Sequence, residues 1–243
     1  MVKKILVSQP SPTSEKSPYY GIEQKYGVEF TFHSFIRVEG LDAPEFRKQR
    51  ISLGDYNAVL FTSAVAIDHY FALCKALRFT PGEEMRYFAP SEQVALRIQK
   101  YTQYRKRKIS TPQHAGNRDE LLSLMVRHRD LNYLVPQSDV HSDELADALT
   151  ARRLKHTECV MFRTVPTDYP ADRPFDFDML VFFTPAGVES LRRNFPEWQQ
   201  GDTKIVCMGA GTAAAIEAAG LRLDMAAPTR ECPSVIKAIE HFL

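Results

Sequence analysis

Asp178-Met-Leu-Val-Phe-Phe-Thr184-Pro-Ala-Gly187 reads as a strand, a turn and the start of a helix. The apolar run is too short for a buried helix, turn residues end it, and Val188, Leu191 and Phe195 follow at helical spacing. Lys204-Ile-Val-Cys-Met-Gly209-Ala-Gly211-Thr212 repeats the pattern and runs into the alanine-rich stretch from Ala213 to Ala219, which Gly220 closes as a helix C′ residue. Consecutive units of this kind predict an α/β fold, with Thr212 where a helix begins. In open α/β sheets, ligands bind beyond the carboxyl ends of the strands, where N–H groups at helix starts face anions. Thr184 and Thr212 are expected to face such a crevice.

The same alternation continues outward. Ile5 to Val7 is a short strand ended by Ser8-Gln-Pro-Ser-Pro-Thr-Ser, and a helix from Ser17 or Pro18 to about Tyr26 is closed by Gly27. Val28 to Val38 reads as one unusually long extended segment with a shift near His33-Ser34, long enough to cross between two lobes. Asn57 to Ser63 is a buried strand ending in the hydroxyls of Thr62 and Ser63. Ser63 is a natural N-cap for a helix striped by Ile67, Tyr70, Phe71, Cys74 and Leu77. Further strands are expected at Met85–Ala89, closed by Pro90-Ser91-Glu92, at Ile109–Thr111, at Leu131–Pro136 with Ser138 in the following turn, at Glu158–Val165 and at Arg222–Met225. Ser142 is expected to cap the helix carrying Leu145 and Leu149, and Pro233 to open the last one. Arg105-Lys-Arg-Lys108 reads as a solvated helix end in preference to a carboxylate clamp.

An internal echo points to two similar lobes. Leu60-Phe-Thr-Ser63 falls on the stretch from Phe182 so that Ser63 meets Thr184, Phe88-Ala-Pro-Ser-Glu92 falls on Met208-Gly-Ala-Gly-Thr212, and Leu6-Val-Ser-Gln9 on Leu134-Val-Pro-Gln137. Two lobes imply a cleft faced by strand-end hydroxyls from each side.

With 31 basic against 30 acidic residues there is no global field to attract nucleic acid. Cys74, Cys159, Cys207 and Cys232 are too far apart for a zinc pattern or a dense disulfide framework, which fits a reducing cytoplasm. No apolar run approaches membrane-spanning length. Gly209-x-Gly211-x-x-Ala214 is a relaxed dinucleotide fingerprint, but Asp224 follows too early for a ribose-binding acid, so a nucleotide-dependent oxidoreductase is disfavoured. Phosphate-loop, nucleophile-elbow and His-Glu-x-x-His motifs are missing. His114, His128, His141 and His156 are scattered and read as surface residues. Positioned hydroxyls, helix amino ends and a cleft suit an enzyme that holds a reactive anionic substrate in shape, with no metal or cofactor and one proton donor.

Ile5-Leu-Val-Ser-Gln-Pro10, Leu60-Phe-Thr-Ser63, Phe182-Phe-Thr-Pro-Ala-Gly187, Gly209-x-x-Thr212-Ala and Pro233-Ser234 together resemble uroporphyrinogen-III synthase, in a variant similar to those of the Bacteroides group, over almost the whole chain. The resemblance implies two α/β lobes, each a parallel sheet flanked by helices, joined by a two-stranded connector around an interlobe cleft. Residues 1-36 and 166-243 would form one discontinuous lobe and residues 37-165 the inserted one, with crossings near 30-38 and 158-165. The implied substrate is hydroxymethylbilane, a linear tetrapyrrole with eight carboxylates. It is cyclised without a cofactor, with loss of water and inversion of the last pyrrole ring, by a cytoplasmic monomer. Unassisted closure gives the uninverted isomer.

Carried over by position, Thr62, Ser63, Thr184, Gly187, Gly211 and Thr212 are implied substrate-binding residues, with Ser138 in a matching strand-end turn. Glu92, beside Ser91, stands where the family often has threonine, and Phe162 where it often has a connector tyrosine proposed to protonate the departing hydroxyl. Either that tyrosine is dispensable, or Tyr169 or a substrate carboxylic acid replaces it, or the chain is a non-catalytic tetrapyrrole- or anion-binding protein on the same scaffold. Ser63 and Thr212 can equally serve as helix caps alone, Phe162 as connector packing and Arg163 as a surface charge.

Overall fold

The computed structural model describes residues 2–230 and 232–243. Along the chain the elements are β1 (Lys4–Val7), α1 (Pro18–Tyr26), β2 (Glu29–Phe32), β3 (Ile36–Gly40), α2 (Ala43–Arg47), β4 (Ala58–Leu60), α3 (Ala64–Ala76), β5 (Arg86–Phe88) and α4 (Glu92–Ala95). There follow β6 (Ile109–Ser110), α5 (Arg118–Val126), β7 (Tyr133–Ser138), α6 (Glu144–Ala151), β8 (His156–Pro166), β9 (Met179–Phe182), α7 (Pro185–Asn194), β10 (Lys204–Met208), α8 (Ala210–Ala218), β11 (Met225–Ala227) and α9 (Val235–Glu240). Two compact units result, Met1–Arg37 with Val165–Leu243, and Val38–Thr164.

In the discontinuous unit the sheet order is β11-β10-β9-β1-β2, with parallel pairing throughout. Its central strands are continuously apolar because both faces are covered, and alternate residues supply the two faces. Ile5, Val7, Met179, Val181 and Val206 pack with Ile22 of α1 and Val235, Ala238 and Ile239 of α9. Leu6, Leu180, Phe182, Ile205 and Cys207 pack with Val188 and Leu191 of α7 and Ile216 of α8.

The contiguous unit repeats this scheme around the order β3-β8-β7-β4-β5-β6. Val59, Phe61, Tyr87 and Leu134 pack with Ile67, Tyr70, Phe71 and Cys74 of α3; Ala58, Leu60, Phe88, Tyr133 and Val135 pack with Leu121, Leu122 and Met125 of α5 and Leu149 of α6. Strand for strand, β11-β10-β9-β1-β2 corresponds to β6-β5-β4-β7-β8, with β3 added outside β8. The sequence echoes equate β9 with β4, β10 with β5 and β1 with β7, the equivalences that the two strand orders require. In each sheet the winding reverses between two neighbours, β1 and β9 in one and β4 and β7 in the other. Such switch points leave a crevice beyond the carboxyl strand ends. The chain passes between units through β3 and β8, which are hydrogen-bonded neighbours.

Several local expectations are corrected. The segment from Val28 to Val38 is two strands in different sheets: the Ser34 hydroxyl donates to the Ile36 carbonyl at 2.7 Å, and Phe35 turns into the core. The last strand begins at Met225 and not Arg222, because side chains take the preceding backbone groups. Gln200 Oε1 accepts from Arg222 N at 2.7 Å, and the Asp224 carboxylate accepts from Ile205 N at 2.9 Å. Thr212 lies inside the first turn of α8 and is buried; the N-cap position is Gly209, at φ 87°. Asp143 occupies the N-cap position of α6, with the Ser142 hydroxyl accepting from Glu144 N at 3.3 Å, and Ser234, not Pro233, caps α9. Arg105 to Lys108 is no α-helix end but the flank and body of a 3-10 turn before β6. Arg163 is half-buried and paired with Glu45 at 2.8 Å and Glu39 at 3.9 Å.

Candidate functional site

In the discontinuous unit the carboxyl strand ends are marked by Ser8, His33, Thr184 and Gly209. Ser8 N–H donates to the Val181 carbonyl and His33 N–H to that of Val7, tying the turns to the switch point between β1 and β9. Thr184 caps α7: its side-chain oxygen accepts from Gly187 N at 3.1 Å, which leaves its own O–H free to donate. Gly187 is buried beneath it, where an added Cβ would stand 3.4 Å from Thr184 Oγ1 and 3.8 Å from Ser8 Oγ. Pro185 at the first helical position removes one N–H from α7. The start of α8 differs, since Gly209 offers no side chain and no cap bond forms. Its first-turn N–H groups, at Ala210, exposed Gly211 and Thr212, are left to whatever lies beyond the strand ends. Gly211 also adjoins α7, its added Cβ lying 3.9 Å from Pro185 Cγ.

In the contiguous unit Ser63 caps α3 through Ala66 N at 3.1 Å, and Ser91 caps α4 through Val94 N at 3.2 Å. Thr62 lines a cavity of about 160 Å³ together with Pro90, Asn117, Arg118 and Leu145. Asn117 caps α5 through Glu120 N at 3.1 Å, and Arg118 follows it with Nη1 3.1 Å from Glu144 Oε2. Glu92 is exposed at the first position of α4, where its carboxylate complements the helix end and repels an incoming carboxylate. Ser138 ends β7 opposite Phe162, and its hydroxyl donates to Asp139 Oδ1 at 2.9 Å. Buried Phe162 stacks on His69 of α3, ring centroids 5.1 Å apart and planes 21° from parallel. Gly40 makes room for that histidine, for a Cβ there would come within 2.7 Å of Nδ1.

The structure thus gathers Thr62, Ser63, Ser91, Glu92, Ser138 and Phe162 at one strand-end edge, and Thr184, Gly187, Gly211 and Thr212 at the other. Tyr169 turns its hydroxyl away from them. Its ring is buried against His33, Phe35, Phe175 and Phe195, its hydroxyl donates to the Pro174 carbonyl at 3.4 Å, and burial raises its pKa. The cavity it lines includes Lys4 and Glu29, the first residues of β1 and β2, so it opens at the amino ends of the strands. Sequence reading overlooked His69, which has only Asp68 beside it as a titratable neighbour, and gave His33 no role beyond marking a shift in its segment. It also overlooked Asn117-Arg118, whose signal was Gly116-Asn117 ahead of Asp119 and Glu120.

Burial holds His33 and His69 below the usual imidazole range, with Arg173 adding to the effect at His33. Both are neutral in the fold at neutral pH and take up protons at lower pH than in the unfolded chain, which does so from about pH 6.5 downward. Stability is therefore full above that value and is lost as pH falls toward the folded-state pKa values. Melting temperature is expected to drop between about pH 7.5 and about pH 5.5, with a smaller drop in His69→Gln. Equal drops would clear His69 of the effect.

The family model for uroporphyrinogen-III synthase HemD matches residues 21–237. No curated protein matches the chain. Among solved structures, uroporphyrinogen-III synthetase from Helicobacter pylori is similar at a TM-score of 0.61 and 14% identity, over 99% of this chain and 98% of that one. A mutant uroporphyrinogen III synthase from Thermus thermophilus is similar at a TM-score of 0.50 and 17% identity, over 98% of each chain. These structural likenesses bear on the fold, and the family match carries the assignment. The chain belongs to the uroporphyrinogen-III synthase family, the cyclising hydro-lyases of porphyrin biosynthesis.

Proposed function

We propose that this chain converts hydroxymethylbilane to uroporphyrinogen III chiefly by restraint, holding substrate carboxylates at helix-start N–H groups and cap hydroxyls at the strand ends. The observation that carries the reading is the open amino end of α8 beside the capped one of α7. A capping hydroxyl that has accepted a backbone N–H still has a proton to give a carboxylate. Each charge-assisted hydrogen bond contributes about 1.5–3 kcal/mol. Orientation of reacting groups supplies about 7–11 kcal/mol, whereas a positioned proton donor supplies about 10²–10⁴-fold in rate, so restraint outweighs the donor.

Freshly generated hydroxymethylbilane, incubated with the purified protein, oxidised and separated by isomer, tests this. Predominantly type III uroporphyrin is expected. Type I alone, with the bilane bound, would favour the second reading, a non-catalytic tetrapyrrole binder, which Phe162 and Glu92 support: one has no proton to give, the other repels a carboxylate.

Loss of the hydroxyl as water needs a proton that Phe162 lacks. His69, stacked on Phe162 and only partly exposed, is the better-placed donor in the imidazolium form that it gains as pH falls, because the Tyr169 hydroxyl is tied to Pro174 toward the other strand edge. Tyr169→Phe is expected to keep its turnover. His69→Phe is expected to lose on the order of a hundredfold while still giving mainly type III. The reverse ranking in a single-turnover assay would return the role to Tyr169.

Further parts of the reading are a monomer, a cytoplasmic location and no nucleic-acid partner. Four buried free cysteines support the location, and the near balance of charge supports the lack of a nucleic-acid partner. No helix among the described residues is long and apolar enough to cross a membrane.

A further inference from the structure

Away from the capping hydroxyls, the contiguous unit has a second cavity, of about 210 Å³, near the amino ends of β5 and β6. Met85, Tyr87, Ile98 and Ile109 form its apolar lining, and Lys108 and Arg105 bring two cations to it. The Lys108 side chain is only 10% exposed, which is rare for an ammonium group unless it is well paired. Among the described residues its Nζ has one hydrogen-bond acceptor, Glu84 Oε2 at 2.6 Å, and the Glu84 side chain is itself 90% exposed. An ammonium carries three donors, so a largely dehydrated one with a single solvent-facing partner leaves two for the cavity. Arg105 is similarly under-used: its bonds to Gln103 and Glu83 are 3.3 to 3.5 Å long, at the weak limit of hydrogen bonding. Thr102 and Gln103 add polar groups to the wall.

We propose that this cavity is a second binding site, for a small oxyanion of the carboxylate or phosphate class, held by Lys108 and Arg105. At about 30 Å³ per water the space holds roughly seven waters, which suits an anion between phosphate and a short dicarboxylate and excludes a tetrapyrrole. The inference does not depend on the reading of the strand-end site. Glu84 and Glu83 are its internal competitors, since each occupies a donor that a bound anion would take.

Titration of the full chain with inorganic phosphate and, separately, with malonate, followed by calorimetry or amide chemical shifts, tests the proposal. Saturable binding of at least one anion is expected, and the stronger of the two identifies the source, phosphate or carboxylate. Lys108→Met and Arg105→Gln should each weaken binding on the order of tenfold. Replacing a buried ion by an apolar side chain of similar length is often neutral for stability, so Lys108→Met should remain folded. Glu84→Gln frees the ammonium and should tighten binding, a change that a purely structural Lys108–Glu84 pair would not produce. No saturable binding of either anion, or binding unchanged in both cation variants, overturns the proposal.

Discussion

Gly211→Leu is expected to lower turnover on the order of a hundredfold while leaving the melting temperature unchanged or raised. Gly211 is exposed at the second position of α8, and an added Cβ meets nothing nearer than Pro185 Cγ at 3.9 Å, so the fold accepts a side chain there. Removing a helical glycine stabilises by up to about 1 kcal/mol. Helical side chains lean toward the amino end, so the leucine would cover the N–H groups that Gly209 leaves uncapped. A substrate displaced by about 1 Å reacts on the order of a hundredfold more slowly. Gly211→Ala should show the stabilisation with a smaller loss of turnover. Full activity in the leucine variant, measured by type III formation, would remove the start of α8 from the site.

Phe61→Ala carries the largest expected cost in stability, about 3–5 kcal/mol. The ring is fully buried and meets Tyr70 at 5.4 Å, Tyr87 at 5.8 Å and Phe71 at 6.4 Å, so its removal leaves a cavity and breaks aromatic pairs. Phe61 also leads directly into Thr62 and Ser63, and its N–H bonds to the Phe88 carbonyl at 2.8 Å. The loosened packing therefore reaches the strand-end hydroxyls. All three ring partners belong to the contiguous unit, so calorimetry of the variant is expected to resolve an early transition from a later one. A single transition shifted as a whole would show that the two units melt as one.

The α/β architecture was legible because buried parallel strands and capped helices leave local marks: apolar runs of four or five residues, then Ser63, Ser91 or Thr184 ahead of a helical stripe. The internal echo carried more than its loose identities suggest, since it named the strand pairs that turn out to be topological equivalents. What failed was decided by contacts distant in sequence. The strand at Met225 is displaced from Arg222 because Gln200 and Ile205 claim the intervening polar groups, and alternation along Arg222 to Met225 contains no trace of them. Lys108 looked like one solvated cation among four, yet of these it alone is buried, beside a strand start and a cavity that local charge patterning does not encode. His69 went unnoticed for the same reason: its meeting with Phe162 joins α3 to β8, and nothing within a few residues of either announces it.

The strand order has a consequence for synthesis. β1 lies between β2 and β9, yet the ribosome makes β1 first and β9 only after the whole contiguous unit. At about 5–20 residues per second, Ile5, Leu6 and Val7 wait roughly ten seconds or more for their neighbour, with a strand edge and an apolar face uncovered. The contiguous unit has its whole sequence before β9 is made and is free to fold first. Vectorial growth thus sets the order of assembly, and the nascent amino-terminal strand is the segment that a chaperone has to shield.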